Sequence, residues 1–357
     1  MSKLTNGNIT VLVGGQYGSE GKGLIANTIA NEFDVHVRVG SPNAGHTHYL
    51  NGKKFVQQII PCGWVNPNAF IVLGAGALID IGLLDKEVET IQEIHDDFKG
   101  RLIIDTNSGI LLQKHKEQEG GIYGGLHSSI GSTGEGVGSA RIHRIQRDGT
   151  FELSKNYLRG TLYEGCLKNN TAQWLINMKN MGHRILLEGT QGSLLSLFHG
   201  YYPYVTSTDT NASGICAEVG IPPTMVDDII MVVRTFPIRV AGSSGPMPDE
   251  TTWEKVSEYA QKQIEEKTTV TKKVRRVSFF SIDEFKKAVA LNGPTRIALT
   301  FCDYLIPELY GQVKMNAFLT LDEKFQKFYK QIKELEKIAN CPVSFLGTGP
   351  ETVVRRG

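Results

Sequence analysis

The sequence predicts an α/β protein with a mostly parallel central sheet flanked by helices, and three observations lead to this prediction. Several short apolar runs have the length and β-branched content of buried parallel strands. Longer segments with helical periodicity alternate with them, as expected for strand–helix–strand units. A glycine-rich turn directly follows the first strand, where backbone N–H groups can bind a phosphate.

The predicted strands are apolar runs bounded by polar or glycine-containing segments: Ile9–Val13, Val35–Val39, Ile71–Leu73, Leu102–Ile104, Ile185–Leu187, Ile229–Val233 and Ile297–Thr300. The predicted helices place apolar residues three or four apart: Leu24–Asn31, Asp85–Asp97, Thr171–Met181, Trp253–Glu265, Ile282–Leu291 and Asp322–Ala339. No repeat, low-complexity tract or linker interrupts this pattern. We therefore expect residues 1–357 to form a single domain with insertions, and Val240–Pro248 to be a surface loop.

The composition excludes several classes of function. The chain has 357 residues, of which 40% are hydrophobic and 21% charged, and its net charge is +1. Such a charge gives no bulk attraction to nucleic acid or to a membrane surface. Five scattered cysteines without a CxxC motif favour a reducing compartment and disfavour a zinc site. With no signal-peptide pattern and no long apolar segment, we expect a cytoplasmic location.

The loop Gly14–Gly23 predicts a phosphate site that is not a Walker A loop. Five residues, not four, separate Gly15 from Gly21, and Gly23 stands where Ser or Thr would follow the lysine. Glycines allow backbone N–H groups to approach an anion, and the following helix adds its dipole. Lys22 supplies a positive charge for phosphate oxygens.

Four ordered motifs make the chain resemble the adenylosuccinate synthetase family. The run GQYGSEGKG at Gly15–Gly23 resembles the first family signature, and Pro42–Thr47 contains the second, NAGHT. Ile130–Gly138 is similar to the third, and Glu188–Leu195 is similar to the fourth. His199–Ser207 then resembles the family's HGTYPFVTS. The resemblance extends from about Val11 to Pro350, and it implies a P-loop-like core with insertions.

The resemblance implies a two-step ligase reaction. A nucleoside triphosphate phosphorylates the 6-oxygen of a purine nucleotide, and the amino group of L-aspartate displaces that phosphate. By resemblance, His46 acts as the acid at this oxygen, Lys22 contacts the transferred phosphate and Gln191 belongs to the catalytic set. The cofactor is Mg²⁺, bound by the carbonyl of Gly45 and by the first signature, where Ser19 replaces the family's catalytic aspartate.

The resemblance also implies a site for the substrate nucleotide, shared between two chains of a homodimer. Its 5′-phosphate is held mainly by neutral donors, and the matching positions, together with Ser19 at the base, are Asn43, Thr133, Gln191 and Thr206. An arginine reaches in from the partner subunit, and counting from the third signature identifies it as Arg147. Arg141 and Arg144 lie close enough in sequence to remain alternatives.

Two further sites follow from the matched motifs. The family's aspartate-binding loop corresponds to the basic run ending at Arg276, where Thr271, Lys273 and Arg275 match its contact residues. Lysine at 273 is a weaker carboxylate ligand than the family's arginine. The implied triphosphate site is formed by Gly18, Glu20, Gly21, Lys22, Gly23, Thr47, Asp303, Gly347, Gly349 and Pro350.

Two departures from the family pattern predict the substrates. Serine at position 19 resembles the bacteriophage branch of the family, which uses dGMP; Glu20 or a water held by Ser19 then replaces the missing carboxylate. Phe301 stands where a lysine stacks on guanine, so we expect ATP or dATP to serve as donor. The product is then 2-amino-2′-deoxyadenylosuccinate, with ADP or dADP and phosphate, made in a host cytoplasm if a phage encodes the chain. The alternatives are a GTP-dependent synthetase acting on IMP, and an inactive nucleotide-binding homologue.

Overall fold

The computed structural model describes residues 7–120, 133–268, 273–314 and 323–356. Within these residues the strands, numbered in chain order, are β1 Ile9–Gly14, β2 Val35–Arg38, β3 His46–Leu50, β4 Lys53–Gln57, β5 Phe70–Leu73, β6 Leu78–Ile79, β7 Leu102–Asp105, β8 Gly109–Ile110, β9 Leu167–Lys168, β10 Ile185–Glu188, β11 Asp228–Arg234, β12 Ile238–Arg239, β13 Glu250–Thr251, β14 Arg276–Ser278, β15 Arg296–Thr300, β16 Val343–Gly347 and β17 Val353–Arg355.

Helices connect most of these strands. In the described part of the chain they are α1 Lys22–Ile29, α2 Ile81–Gln92, α3 Gln113–Gly120, α4 Val137–Gln146, α5 Ser154–Tyr157, α6 Thr171–Asn180, α7 Ala212–Val219, α8 Trp253–Ala260, α9 Ile282–Asn292, α10 Cys302–Leu305 and α11 Glu323–Ala339. None of them is long and apolar enough to cross a bilayer.

The central sheet confirms the predicted fold class. Among the described residues it has ten strands in the order β17-β16-β15-β11-β1-β10-β2-β5-β7-β9. Its neighbouring strands pair in parallel, except that β17 runs antiparallel to β16 at one edge. All seven predicted strands belong to this sheet. The prediction that these apolar runs form strands of a buried parallel sheet is therefore confirmed.

Helices cover both faces of the sheet because successive side chains of a strand point to opposite sides. Val11 and Val13 of β1 belong to an apolar cluster with residues of α6, α7, α9 and α11. Leu12 points the other way and packs with Ile25 and Ile29 of α1. The first strand is therefore covered on both sides, and the loop that follows it is held at a fixed position.

Two predicted helices have different ends in the structure. The helix predicted at Asp85–Asp97 begins four residues earlier, at Ile81, because the Asp80 side chain accepts a hydrogen bond from the Leu83 amide at 3.1 Å. The helix predicted at Trp253–Glu265 ends at Ala260, and Gln261 turns the chain with a φ of 51°. Apolar periodicity alone does not reveal such ends.

Candidate active site

Several of the loops that carry the sequence motifs meet at the carboxyl edge of the sheet, where open parallel sheets bind their ligands. Strands β1, β10, β11, β15 and β16 all end there. Next to their ends lies a cleft of ≈ 530 Å³. It is lined by Ser19, Gly21, Lys22, Gly23, Leu24, Gly45, His46, Thr47, Tyr49, Lys54, Lys262, Glu266, Lys267, Arg275, Thr300, Phe301, Asp303, Tyr304, Tyr310, Gly349 and Pro350.

Glu20 holds the glycine-rich loop together from inside. Its side chain is fully buried and accepts hydrogen bonds from the amides of Gln16 at 3.1 Å and Gly18 at 2.8 Å. The other carboxylate oxygen lies 2.7 Å from the ammonium of Lys22. Because both oxygens are engaged within the loop, Glu20 shapes the loop and is poorly placed to replace a missing base.

The start of helix α1 is available to an anion. Its N-cap, Gly21, has a φ of 90° and makes no side-chain capping bond, so the first backbone N–H groups remain for a ligand. Gly23 is needed for close packing, since a Cβ there would lie 2.4 Å from the carbonyl oxygen of Thr47. Lys22 lines the cleft from a buried position and also donates to the carbonyl of Gln191.

Ser19 is exposed at the cleft wall and lies in the left-handed region with a φ of 58°. Its carbonyl accepts a hydrogen bond of 3.1 Å from the guanidinium of Arg234. That arginine is completely buried, pairs with Glu266, and lies 3.8 Å above the ring of Phe301. Arg234 therefore fixes the backbone that presents the Ser19 hydroxyl to the cleft.

His46 is oriented by a buried carboxylate. Its Nδ1 lies 2.6 Å from Glu188 Oε1, which also accepts a hydrogen bond from Arg38 at 2.8 Å. A lone pair on Nδ1 would face a carboxylate at this distance, so Nδ1 carries the proton and donates it to Glu188. The opposite nitrogen, Nε2, is buried without a partner among the described residues. This nitrogen is therefore the end of the ring that remains for a ligand.

The charge states of His46 and Glu188 follow from their surroundings. Burial lowers the pKa of His46 to about 3, and the nearby charge of Arg38 lowers it further. The hydrogen bond and charge of Glu188 act in the opposite direction but are outweighed. Burial alone would raise the pKa of Glu188, but the hydrogen bond from His46 and the charge of Arg38 outweigh it and lower the pKa to about 2. Without ligand, His46 is therefore neutral and Glu188 is ionised.

The residues assigned by resemblance to the nucleotide phosphate are only partly brought together. The carbonyl of Gln191 contacts Lys22, and its side-chain oxygen is buried without a partner in the described part of the chain. Asn43 accepts a hydrogen bond from Ser41 at 2.8 Å. Thr133 and Thr206 are half-buried. None of these four residues lines the cleft itself.

Among the three arginines near the end of α4, only Arg147 is left unpaired by the described residues. Arg141 donates to Glu218 at 3.0 Å, and Arg144 donates to the carbonyl of Asn107 at 2.9 Å. Arg147 is exposed, has a φ of 57° and ends the helix. This arrangement favours Arg147 over its two neighbours as the arginine that reaches another molecule.

The loop assigned to aspartate binding is described only in part, and Thr271 lies outside the described residues. Arg275 lines the cleft. Burial lowers its pKa, and the negative charge of Glu266 partly offsets this shift. Lys273 is exposed and does not line the cleft. The structure thus places Arg275, and not Lys273, beside the other cleft residues.

By resemblance, Asp303, Gly349 and Pro350 belong to the triphosphate site, where the family binds the base of the donor, and all three line the cleft. Asp303 is buried there and pairs with Lys262 at 3.2 Å; burial raises the pKa of Asp303, and the lysine opposes this shift. Gly347 ends β16, where a Cβ would come within 3.1 Å of Thr300.

Unusual backbone conformations accumulate at these positions. Nine described residues other than glycine have a positive φ, and four of them are asparagine or aspartate, which tolerate it. The other five are Ser19, Arg147, Gln191, Gln261 and Phe301. Backbone strain of this kind concentrates at functional sites, and here Ser19 and Phe301 line the cleft, Gln261 directly precedes the cleft residue Lys262, and the carbonyl of Gln191 contacts Lys22.

The oxygen atoms at the cleft wall are suitable ligands for a magnesium ion. The Ser19 hydroxyl and the Gly45 carbonyl are neutral, hard donors on residues that are both exposed to the cleft. Mg²⁺ prefers oxygen ligands and takes much of its coordination from water and substrate phosphates. A different cluster in the described residues, His46 with Cys62 and Glu188, is already engaged by hydrogen bonds and Arg38.

Sequence reasoning missed Arg38, Glu188 as a ring-orienting base, Arg234 and Glu266. A signal for three of them exists in the sequence. Arg38, Glu188 and Arg234 are each the charged last residue of a largely buried strand. A buried charge is costly unless it is paired, so charges at these strand ends indicate an ionic network at the carboxyl edge.

The architecture is that of an α/β protein with a cleft at the carboxyl edge of its sheet. Residues 11–155 and 155–315 match the sequence model of the family described as adenylosuccinate synthetase. The chain is 40% identical over 345 residues to the adenylosuccinate synthetase of Methanococcus aeolicus, covering 96% of this chain and 97% of the relative. It is 39% identical over 354 residues to that of Methanocaldococcus jannaschii, covering 98% and 97%.

Two solved structures are also similar to the chain. The succinoaminodeoxyadenylate synthetase PurZ of cyanophage S-2L, bound to dGMP and dATP as an energy donor, superposes with a TM-score of 0.81. It is 30% identical, and the match covers 98% of this chain and 96% of PurZ. The fully ligated adenylosuccinate synthetase of Plasmodium falciparum shares the fold with a TM-score of 0.82 at 21% identity, covering 98% of this chain and all of that one.

The chain belongs to the adenylosuccinate synthetase family. It is therefore a ligase of purine biosynthesis that forms a C–N bond, as the sequence motifs predicted. Members of this family generally depend on Mg²⁺.

Proposed function

We propose that the protein joins L-aspartate to the 6-position of dGMP, using ATP or dATP. The γ-phosphoryl group is first transferred to O6 of the base, and the amino group of aspartate then displaces phosphate. The products are 2-amino-2′-deoxyadenylosuccinate, ADP or dADP, and phosphate. The observation that carries this proposal is the exposed Ser19 at the cleft wall, beside Lys22 and His46.

A serine at this position suits a guanine base. Guanine carries an amino group beside N1, and a carboxylate aimed at N1 would crowd it. The shorter hydroxyl leaves space and offers an acceptor to the amino hydrogens. A site built to bind this amine disfavours hypoxanthine, because the acceptor would then remain unpaired. The likeness to PurZ, which binds dGMP and dATP, supports the same assignment.

The remaining residues have distinct tasks in this reaction. Glu188 fixes the tautomer of His46, and the Nε2 atom faces the position where O6 carries developing negative charge. Incoming phosphates raise the proton affinity of His46, so that Nε2 takes up a proton from solvent and can then donate it to O6. Lys22 and the start of α1 hold the transferred phosphate. A magnesium ion held by Ser19 and Gly45 would neutralise phosphate charge when bound.

An ordinary synthetase that uses IMP and GTP is the second candidate. The archaeal relatives at 39–40% identity carry that family's ordinary name, and they are more similar in sequence than PurZ at 30%. The sequence distance thus favours IMP, whereas Ser19 and Phe301 favour dGMP and an adenine nucleotide. The two candidates differ in substrates that can be supplied separately.

Aspartate-dependent phosphate release decides between these substrates. We expect turnover with dGMP and none with IMP, and a product with the mass of the succinyl adduct of 2-amino-2′-deoxyadenylate. Ser19→Asp tests the role of this side chain without straining the backbone, because aspartate tolerates the left-handed conformation at this position. It should weaken the use of dGMP without necessarily restoring IMP. Turnover of IMP without turnover of dGMP would establish the ordinary synthetase instead.

The exposed Arg147 predicts a site shared between the subunits of a homodimer. Arg147→Leu should raise the KM for the nucleotide, and the fold should stay intact because the described residues leave this arginine unpaired. Mixing it with His46→Ala should restore about a quarter of wild-type activity, since half of the dimers are hybrids with one complete site each. Arg144→Leu in the same mixture is the control. Hybrid dimers that form but stay inactive would contradict the shared site.

A further inference from the structure

Lys262 occupies the end of the cleft where the base pocket lies. Its ammonium nitrogen lies 3.2 Å from Asp303 Oδ2 and 4.4 Å from the centroid of the Tyr310 ring. The lysine side chain is 44% exposed, whereas that of Asp303 is only 5% exposed. A buried carboxylate is therefore engaged through one oxygen by a partly solvated ammonium that lines the cleft.

The backbone is built to place this lysine in the cleft. Helix α8 ends at Ala260, and Gln261 adopts a φ of 51° directly before Lys262. The left-handed region is unfavourable for glutamine, so the surrounding structure must impose this conformation. The four other unusual residues of this kind, among those described, are Ser19, Arg147, Gln191 and Phe301. Two of these residues, Ser19 and Phe301, line the same cleft as Lys262.

The pairing changes which base the carboxylate can recognise. Guanine presents two adjacent N–H donors, N1–H and the 2-amino group, which the two oxygens of a free carboxylate accept together. Adenine presents one donor, the 6-amino group, beside the acceptor N1. In the Asp303–Lys262 pair, the ammonium donates to Oδ2 and has two further N–H groups, while Oδ1 remains an acceptor. The pocket therefore offers an acceptor next to a donor, the complement of adenine.

We propose that Lys262 is the residue that determines donor specificity in this enzyme. By pairing with Asp303 it occupies one of the two oxygens that would otherwise accept both N–H groups of guanine. It also provides a hydrogen-bond donor for N1 of adenine. Guanine can still bind through O6 and N1–H, but it loses its second bond to the carboxylate. This inference rests on the proposed function, in which ATP or dATP is the phosphoryl donor.

The test is a ratio of donor efficiencies. The kcat/KM values for ATP, dATP and GTP are measured at saturating dGMP and aspartate in the wild type, Lys262→Met and Lys262→Arg. We expect the GTP/ATP ratio to rise at least about tenfold in the methionine variant, because the carboxylate regains both acceptors. The arginine variant keeps a donor beside Asp303 and should keep the wild-type ratio within about threefold.

Matched controls separate specificity from stability. Lys255→Met removes an equal charge from the exposed face of α8 and should leave the ratio unchanged. A merely structural role of Lys262 would lower the efficiency of all donors together. If Lys262→Met does not fold, Lys262→Ala and calorimetric binding of ADP and GDP give the same comparison. If the wild type uses ATP but Lys262→Met leaves the GTP/ATP ratio unchanged, the role of Lys262 is wrong and the proposed donor stands. If the wild type is active only with GTP, the proposed donor itself is wrong.

Discussion

Replacing His46 with asparagine lowers kcat by about 10²- to 10⁴-fold while the protein stays folded. The reason is the free Nε2 atom of the ring, which is buried, unpaired by the described residues, and held in place through Nδ1 by Glu188. Asparagine can retain a hydrogen bond to the carboxylate but cannot supply a second ring nitrogen that takes up and donates a proton. The measurement is single-turnover phosphate transfer at saturating substrates, with circular dichroism as the check on folding.

His48 gives a matched control for this prediction. It lies two residues along the same strand, is equally buried, and packs against Phe55 and Trp64 without contacting Glu188. His48→Asn should reduce stability but leave kcat of the folded enzyme within about threefold. Glu188→Gln should lower kcat while leaving the KM for the triphosphate nearly unchanged, because it frees the ring without touching Lys22. Comparable losses in His46→Asn and His48→Asn would show that the first effect is structural.

Replacing Arg234 with methionine lowers the free energy of unfolding by about 3–5 kcal/mol. The guanidinium is fully buried, so its loss leaves Glu266 without its closest cation and leaves the Ser19 carbonyl without a donor. Its stacking on Phe301 at 3.8 Å is lost as well. Urea denaturation followed by fluorescence measures the change in the unfolding midpoint. The same variant should lose activity, since Ser19 is no longer fixed.

Arg184 offers the comparison for the arginine–phenylalanine contact. It lies 5.1 Å above the Phe33 ring, but its side chain is 46% exposed. Arg184→Met should therefore lower the free energy of unfolding by less than about 1 kcal/mol, because an exposed pair is well solvated before and after the change. Arg234→Lys keeps the charge but not the paired geometry, so its stability should lie between those of the wild type and the methionine variant. Equal losses in the free energy of unfolding for Arg184→Met and Arg234→Met would contradict the role assigned to burial.

The sequence alone determined the class of fold and the family. Continuous apolar runs such as Ile9–Val13 can be satisfied only by burial on both faces, and all seven predicted strands form the central sheet. The glycine spacing of Gly15–Gly23 is a local property, since close approach of backbone to an anion depends on the residues of the loop themselves. The ordered motifs likewise identified the ligase family without any coordinates.

Only the tertiary structure decided how the charges are distributed over the site. The sequence offered Glu20 as a replacement for the missing aspartate, but folding directs both of its oxygens into its own loop. Conversely, Glu188, Arg234 and Lys262 gained their importance from partners that lie far away in the chain. Such ion pairs form because buried charges must be compensated wherever strands end side by side, and sequence spacing does not encode that proximity.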